Sequence, residues 1–172
     1  IIEAKRIGLD GVCLTEHGGG WEERDVCQIF EDSGLVVIPG LEVNTEMGHI
    51  LVFGISSYSK GINRVAELRK AVDEVGGYMV SAHPFRNVFN EPPYNFNLLF
   101  KDKNGDSFGP EEGALHPIFD TVDAIEVANG GNTQEENEIA LHVSQLRGML
   151  GTGGSDAHST HGLGSCVTVF DG

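Results

Sequence analysis

The stretch from Ile62 to His83 reads INRVAELRKAVDEVGGYMVSAH. Val65, Leu68, Ala71, Val72 and Val75 recur at helical spacing, and Gly76-Gly77 ends the pattern. Tyr78 to Ala82 follows as a short strand-like run that leads straight into His83-Pro84. An amphipathic helix, a glycine stop, a strand and a polar residue at the end of that strand form one unit, and the unit recurs in both directions along the chain.

Toward the amino terminus, Ile1 to Ile7 reads as the end of a helix stopped by Gly8. Gly11 to Thr15 is a short buried strand followed by Glu16-His17 and three glycines. Trp21 to Asp32 is helical, Leu35 to Ile38 is a strand, Gly40 to Asn44 continues extended after Pro39, and His49 to Ile55 is a further strand. Toward the carboxyl terminus, Phe85 to about Gly113 is rich in Asn, Pro, Gly and Asp without a period, and is expected to be an irregular loop or insertion. Asp123 to Val127 is a strand and Thr133 to Leu146 a helix with acidic first turns. Met149 to Thr152 and Cys166 to Phe170 complete the strands. Strand–helix alternation predicts parallel strands with crossover helices in one α/β domain spanning 1–172, with ligands at the carboxyl ends of the strands.

Composition narrows the function. Eleven Lys and Arg against 26 Asp and Glu give a formal charge of −15, which argues against attraction to nucleic acid or an anionic membrane. It leaves a phosphorylated substrate possible, since bound divalent ions reverse the field inside a pocket. No apolar run approaches the roughly 18 residues that span a bilayer. Cys13, Cys27 and Cys166 are odd in number and never in CxxC spacing, so a reducing cytoplasm is the expected setting.

The chemistry lies at strand ends. His17 follows GVCLTE, His49 opens HILVFG, His83 follows YMVSA, and His158 lies in GSDAH. Glu42 in PGLEVN and Asp156 in GSDAH add two carboxylates. Each histidine alone reads more readily as a hydrogen-bonded polar residue than as a ligand. Asp156 alone could cap a helix. Glu42 in an apolar run is harder to place without a cation, because an unpaired buried carboxylate is costly. Imidazoles with a few carboxylates are the donor set of Zn²⁺, Mn²⁺ or Fe²⁺. Arg86 is the candidate phosphate clamp, weighed evenly against a salt bridge. Asn129 and Ser81 are candidates for orienting ligands or substrate, and His161 for touching substrate.

In order, GLDGVCLTEH, PGLEV, GHILVFG, SAHPFR, DAIEVANG and GTGGSDAHSTHGLGSCVTVF resemble the PHP (polymerase and histidinol phosphatase) superfamily of metal-dependent phosphoesterases, over Leu9 to Phe170. The resemblance implies a distorted (β/α)7 TIM-like barrel with up to three metals. It implies His17, Glu42, His49, His83, Asp156 and His158 as ligands, with Glu42 bridging two metals and His49 and His83 completing one site. His17 and His158 would serve a second site and Asp156 a third. The family pattern opens with an HxH strand, and this sequence begins beyond it, so a truncated first strand is expected. The implied activity is hydrolysis of phosphomonoesters of small metabolites or nucleotides, with Glu42, Asp156, His158 and Arg86 in catalytic roles and metal-activated water as nucleophile. A PHP-type exonuclease acting on nucleic acid and a non-catalytic metal-stabilised module are the alternatives. An amide hydrolase with a carboxylated strand lysine is disfavoured, because no lysine lies on an expected strand.

Overall fold

The structure is a computed structural model that describes residues 1–101 and 108–171. Six strands form one curled sheet, a half-barrel in the order β1 (Gly11–Glu16), β2 (Val36–Thr45), β3 (Gly48–Phe53), β4 (Tyr78–Ser81), β5 (Ala124–Asn129), β6 (Leu150–Gly154). Helices α1 (Ile2–Arg6), α2 (Glu23–Ser33), α3 (Val65–Glu74), α4 (Pro110–Gly113) and α5 (Gln134–Arg147) lie between or before the strands. Neighbours in sequence are neighbours in the sheet throughout.

Two expectations are corrected here. The sheet is mixed rather than parallel, because β3 runs antiparallel to both β2 and β4. The cause is local: Thr45 pairs with Gly48 across a turn of Glu46 and Met47, too short for a crossover. The Thr45 hydroxyl donates to Gly48 O at 2.7 Å and accepts from Met47 N at 3.1 Å, and Gly48 takes φ 86°. The other correction is the expected last strand: Cys166 to Phe170 forms no ladder. Instead the Thr168 hydroxyl bonds Gly153 N at 2.8 Å and Gly153 O at 2.9 Å, taking the place of a strand's own backbone groups. Val167, Val169 and Phe170 are left exposed.

The core explains the strand pattern. Leu41 and Val43 on β2 face Val52 and Ile50 on β3 in register, and all four are fully buried against Val65, Leu68 and Val72 of α3. Burying each such side chain is worth about 1.5–3 kcal/mol. α3 begins at Val65 rather than Ile62, because the Glu46 carboxylate from the hairpin turn accepts from Val65 N at 3.1 and 3.2 Å and so fixes the first turn. α5 opens with a capping box in which Thr133 Oγ1 accepts from Glu136 N and Glu136 accepts from Thr133 N. A second core layer is aromatic: Phe85 stacks on Phe100 at 5.3 Å and contacts Phe108 and Phe119. The Phe85–Gly113 segment is turn-rich where described, pinned by the buried Asn97 amide, which donates to Pro84 O and Arg86 O and accepts from Leu99 N and Phe100 N. Residues 102–107 of that segment lie outside the described residues.

Candidate metal centre

Alternation along β2 turns Glu42 to the face opposite Leu41 and Val43, where it pairs with Leu51 of β3. His49 lies two residues before Leu51 and so shares its face. Because β3 is reversed, its amino end meets the carboxyl ends of β2 and β4. His17, one residue beyond β1, comes level with Glu42, since Glu16 pairs with Leu41. His83 arrives from the turn after β4, where Ala82 N donates to His49 O at 3.0 Å. Glu42, His49 and His83 thereby offer ligand atoms all within 4.8 Å of one another. His49 Nδ1 is 2.7 Å and His83 Nε2 3.3 Å from Glu42 Oε1, while His17 Nε2 stands 3.6 Å from Oε2. Each oxygen of one carboxylate therefore faces its own imidazoles.

The electrostatics follow from that geometry. Burial alone would raise the Glu42 carboxyl, but the His49 and His83 imidazoles against it, with His17 nearby, outweigh burial and hold it well below the usual carboxylate range. The Tyr58 hydroxyl donates to the Glu42 carbonyl at 2.7 Å and steadies the strand at this point.

Beside the triad lies a second polar group. Arg86 Nη2 donates to Asp156 Oδ2 at 2.6 Å and Asn129 Oδ1 at 2.7 Å, and Nε donates to Asn132 Oδ1 at 3.0 Å. Asn129, at the end of β5, is 1% exposed and also donates to Glu126 Oε2 at 2.9 Å. Glu126 Oε2 accepts from His83 N at 2.7 Å as well. Burial pushes the Glu126 carboxyl up, the bonds from Asn129 and His83 oppose this, and the charge of Asp156 adds to the rise.

Residues 134–172 match the family model described as PHP-associated. The resemblance to the PHP superfamily holds. A solved structure from Bifidobacterium adolescentis, described as a candidate metal-dependent phosphoesterase, is 18% identical with a TM-score of 0.69, covering 98% of this chain and 85% of that one. PsfC from Pseudomonas syringae is 20% identical with a TM-score of 0.61, covering 96% of this chain and 68% of its own. At such identities the likeness speaks for the fold. No curated protein matches the sequence.

Of the six ligands that the PHP resemblance implies, the structure brings His17, His49 and His83 around the carboxylate of Glu42. Asp156 stands in the Arg86 network, and His158 is 79% exposed, its Nδ1 turned to the Asp156 carbonyl at 3.1 Å. His161 is exposed too. Asn129 is buried with its amide occupied on both sides, by Arg86 and Gly131 N on its oxygen and by Glu126 on its nitrogen. The chemistry of the triad fits a divalent ion: His49 Nδ1 is buried 2.7 Å from Glu42 Oε1 and, among the described residues, makes no well-aligned hydrogen bond. Two imidazoles and a carboxylate whose ligand atoms lie this close can hold a divalent ion, and His83 Nε2 hydrogen-bonds to Glu42 Oε1 within the same cluster. Glu126 is the residue that sequence reasoning missed. Its signal was present, a carboxylate inside the apolar run AIEVAN, the same signal that singled out Glu42.

Proposed function

We propose that the protein is a metal-dependent phosphoesterase that hydrolyses phosphomonoesters of small metabolites or nucleotides. The triad of Glu42, His49 and His83, whose ligand atoms all lie within 4.8 Å of one another, carries this reading. The class of the Bifidobacterium relative supports it. The donor set suits Zn²⁺, Mn²⁺ or Fe²⁺. Glu42, His49 and His83 would hold one ion, and Glu42 Oε2 with His17 offers the start of a second site, toward which Asp156 and His158 are the further candidates. A divalent ion there supplies a water of lowered pKa and neutralises charge on the phosphoryl oxygens.

The chain's own groups then have defined tasks. A cavity of about 240 Å³ opens beside the triad, lined by His49, His83, Arg86, Asn87, Phe96 and Leu99 among others. That is smaller than the roughly 300–1,000 Å³ of drug-sized sites, which favours a compact ester over a polymer. Among the described residues that line it the one formal charge is Arg86, which suits an anion. Arg86 directs Nε and Nη2 to protein oxygens, and among the described residues Nη1 has no acceptor, so it is the nitrogen offered to a phosphoryl oxygen. The net charge of −15 disfavours nucleic acid as substrate.

The test is metal analysis of the purified protein, followed by a screen of phosphomonoesters, phosphodiesters and single-stranded DNA with added Mn²⁺. Hydrolysis confined to monoesters is expected, and Glu42→Ala or His83→Ala should remove metal and activity together. Activity that survives either substitution overturns the assignment, and preference for DNA overturns the substrate class.

A further inference from the structure

Glu126 lies on β5, outside the triad, and is 4% exposed. One of its oxygens, Oε2, accepts from both His83 N and Asn129 Nδ2. The other, Oε1, would lie 2.6 Å from a Cβ on Gly154, so β6 makes room for it by carrying glycine there. From Asn129 the bonding continues through Arg86 Nη2 to Asp156 Oδ2. The two ends of this chain of bonds share an unusual property. His83 and Asp156 are non-glycine residues in the left-handed region, with φ of 29° and 48°. Asn87, next to Arg86, is the remaining such residue among those described, and its N–H donates to the Glu136 carboxylate. Such backbone persists only where its surroundings over-determine it. The bond from His83 N fixes the peptide plane that aims the imidazole, and at Asp156 the pair with Arg86 holds the side chain itself.

We propose that Glu126 is a positioning residue that sets His83 for metal binding and ties its placement to that of Asp156 through Asn129 and Arg86. The proposal rests on the metal-binding reading of Glu42, His49 and His83. An apolar side chain of similar shape would fill the space but accept neither bond, leaving two buried donors unmet. Glutamine keeps one acceptor oxygen, and that oxygen suffices for both donors.

The experiment is Co²⁺ titration of the whole chain, read by visible absorption, alongside thermal unfolding of each metal-free protein. Glu126→Met should weaken Co²⁺ binding about 10–100-fold and change the absorption band, as loss of groups that orient ligands does elsewhere. Glu126→Gln should recover affinity to within about threefold of the parent and restore the band. A role in packing alone would leave the methionine variant with the parent's affinity and spectrum, and that result overturns the proposal. If Glu126→Met does not fold, Gly154→Ala decides, since it keeps every hydrogen-bonding group and only displaces Glu126. Weakened Co²⁺ binding there supports the proposal and unchanged binding overturns it. A parent protein that takes up no Co²⁺ at all overturns the metal reading itself and this proposal with it, an outcome distinct from a parent that binds and variants that do not differ.

Discussion

A carboxylate between leucine and valine must find a partner, and at Glu42 the partners are imidazoles. That was legible because the chemistry is local: LEV inside an apolar run, with histidines at neighbouring strand ends. Glu126 shows the same pattern in IEV but has no histidine side chain on it; its partners are a backbone N–H and an asparagine, which sequence does not reveal. His116 is another residue whose role emerged only in three dimensions. Its Nδ1 accepts from Ile118 N at 3.2 Å, capping the 3₁₀ turn Pro117–Asp120, and its ring lies edge-on to Phe100 at 5.3 Å. Burial pushes its pKa below the ordinary 6.5. The sign follows from linkage. Between the lowered folded value and 6.5 the unfolded chain binds more protons, so stability rises with pH through that window and falls as pH drops below 6.5. His116→Asn retains a capping acceptor without the titration. Unfolding measured across that range should give a shallower pH slope than the parent, and an unchanged slope would mean that folding does not shift the titration of His116.

Among elements, periodicity found five of the six strands close to their observed limits and read β2 as a strand over Leu35–Ile38 that continues extended from Gly40 to Asn44. Pro39 does not interrupt it: Leu14 pairs with Pro39 and the strand runs through to Thr45. The expected strand at Cys166–Phe170 failed for a local reason. Alternation shows that a segment could pair, and the segment does lie against the edge strand β6, but the Thr168 hydroxyl takes both Gly153 groups that a ladder would use. Long-range capping was equally invisible. Glu46, in the β2–β3 turn, holds the amino terminus of α3 from 19 residues away. Glu46→Ala should cost about 1 kcal/mol, a drop in Tm of roughly 2–4 °C for a chain of this size. Thr133→Ala should cost a similar amount through the capping box of α5. Equilibrium denaturation checks both, and the metal-binding triad should be unaffected by the Thr133 change because α5 carries none of its residues.

At the scale of the whole molecule, the site and the core are two faces of the same strands. Leu41 and Val43 enter the core while Glu42 between them enters the triad, and Phe85, two residues after His83, is fully buried at the centre of the aromatic layer. Phe85 stacks on Phe100 with planes 10° apart and meets Phe119 at 6.2 Å, so the turn carrying His83 is anchored on one side by this layer and on the other by Glu126. Truncating the anchor should therefore act twice. Phe85→Ala should cost about 3–5 kcal/mol, the range for emptying an aromatic core site. It should also weaken metal binding in the fraction that remains folded, since the His83 turn loses the packing that holds its left-handed backbone. Phe85→Leu keeps most of the volume and should cost far less in both respects. Denaturation midpoints and Co²⁺ titration of the same samples separate the two effects. If affinity stays at the parent value in folded Phe85→Ala, the hydrogen bond to Glu126 alone holds His83, and the aromatic layer serves stability without serving the site.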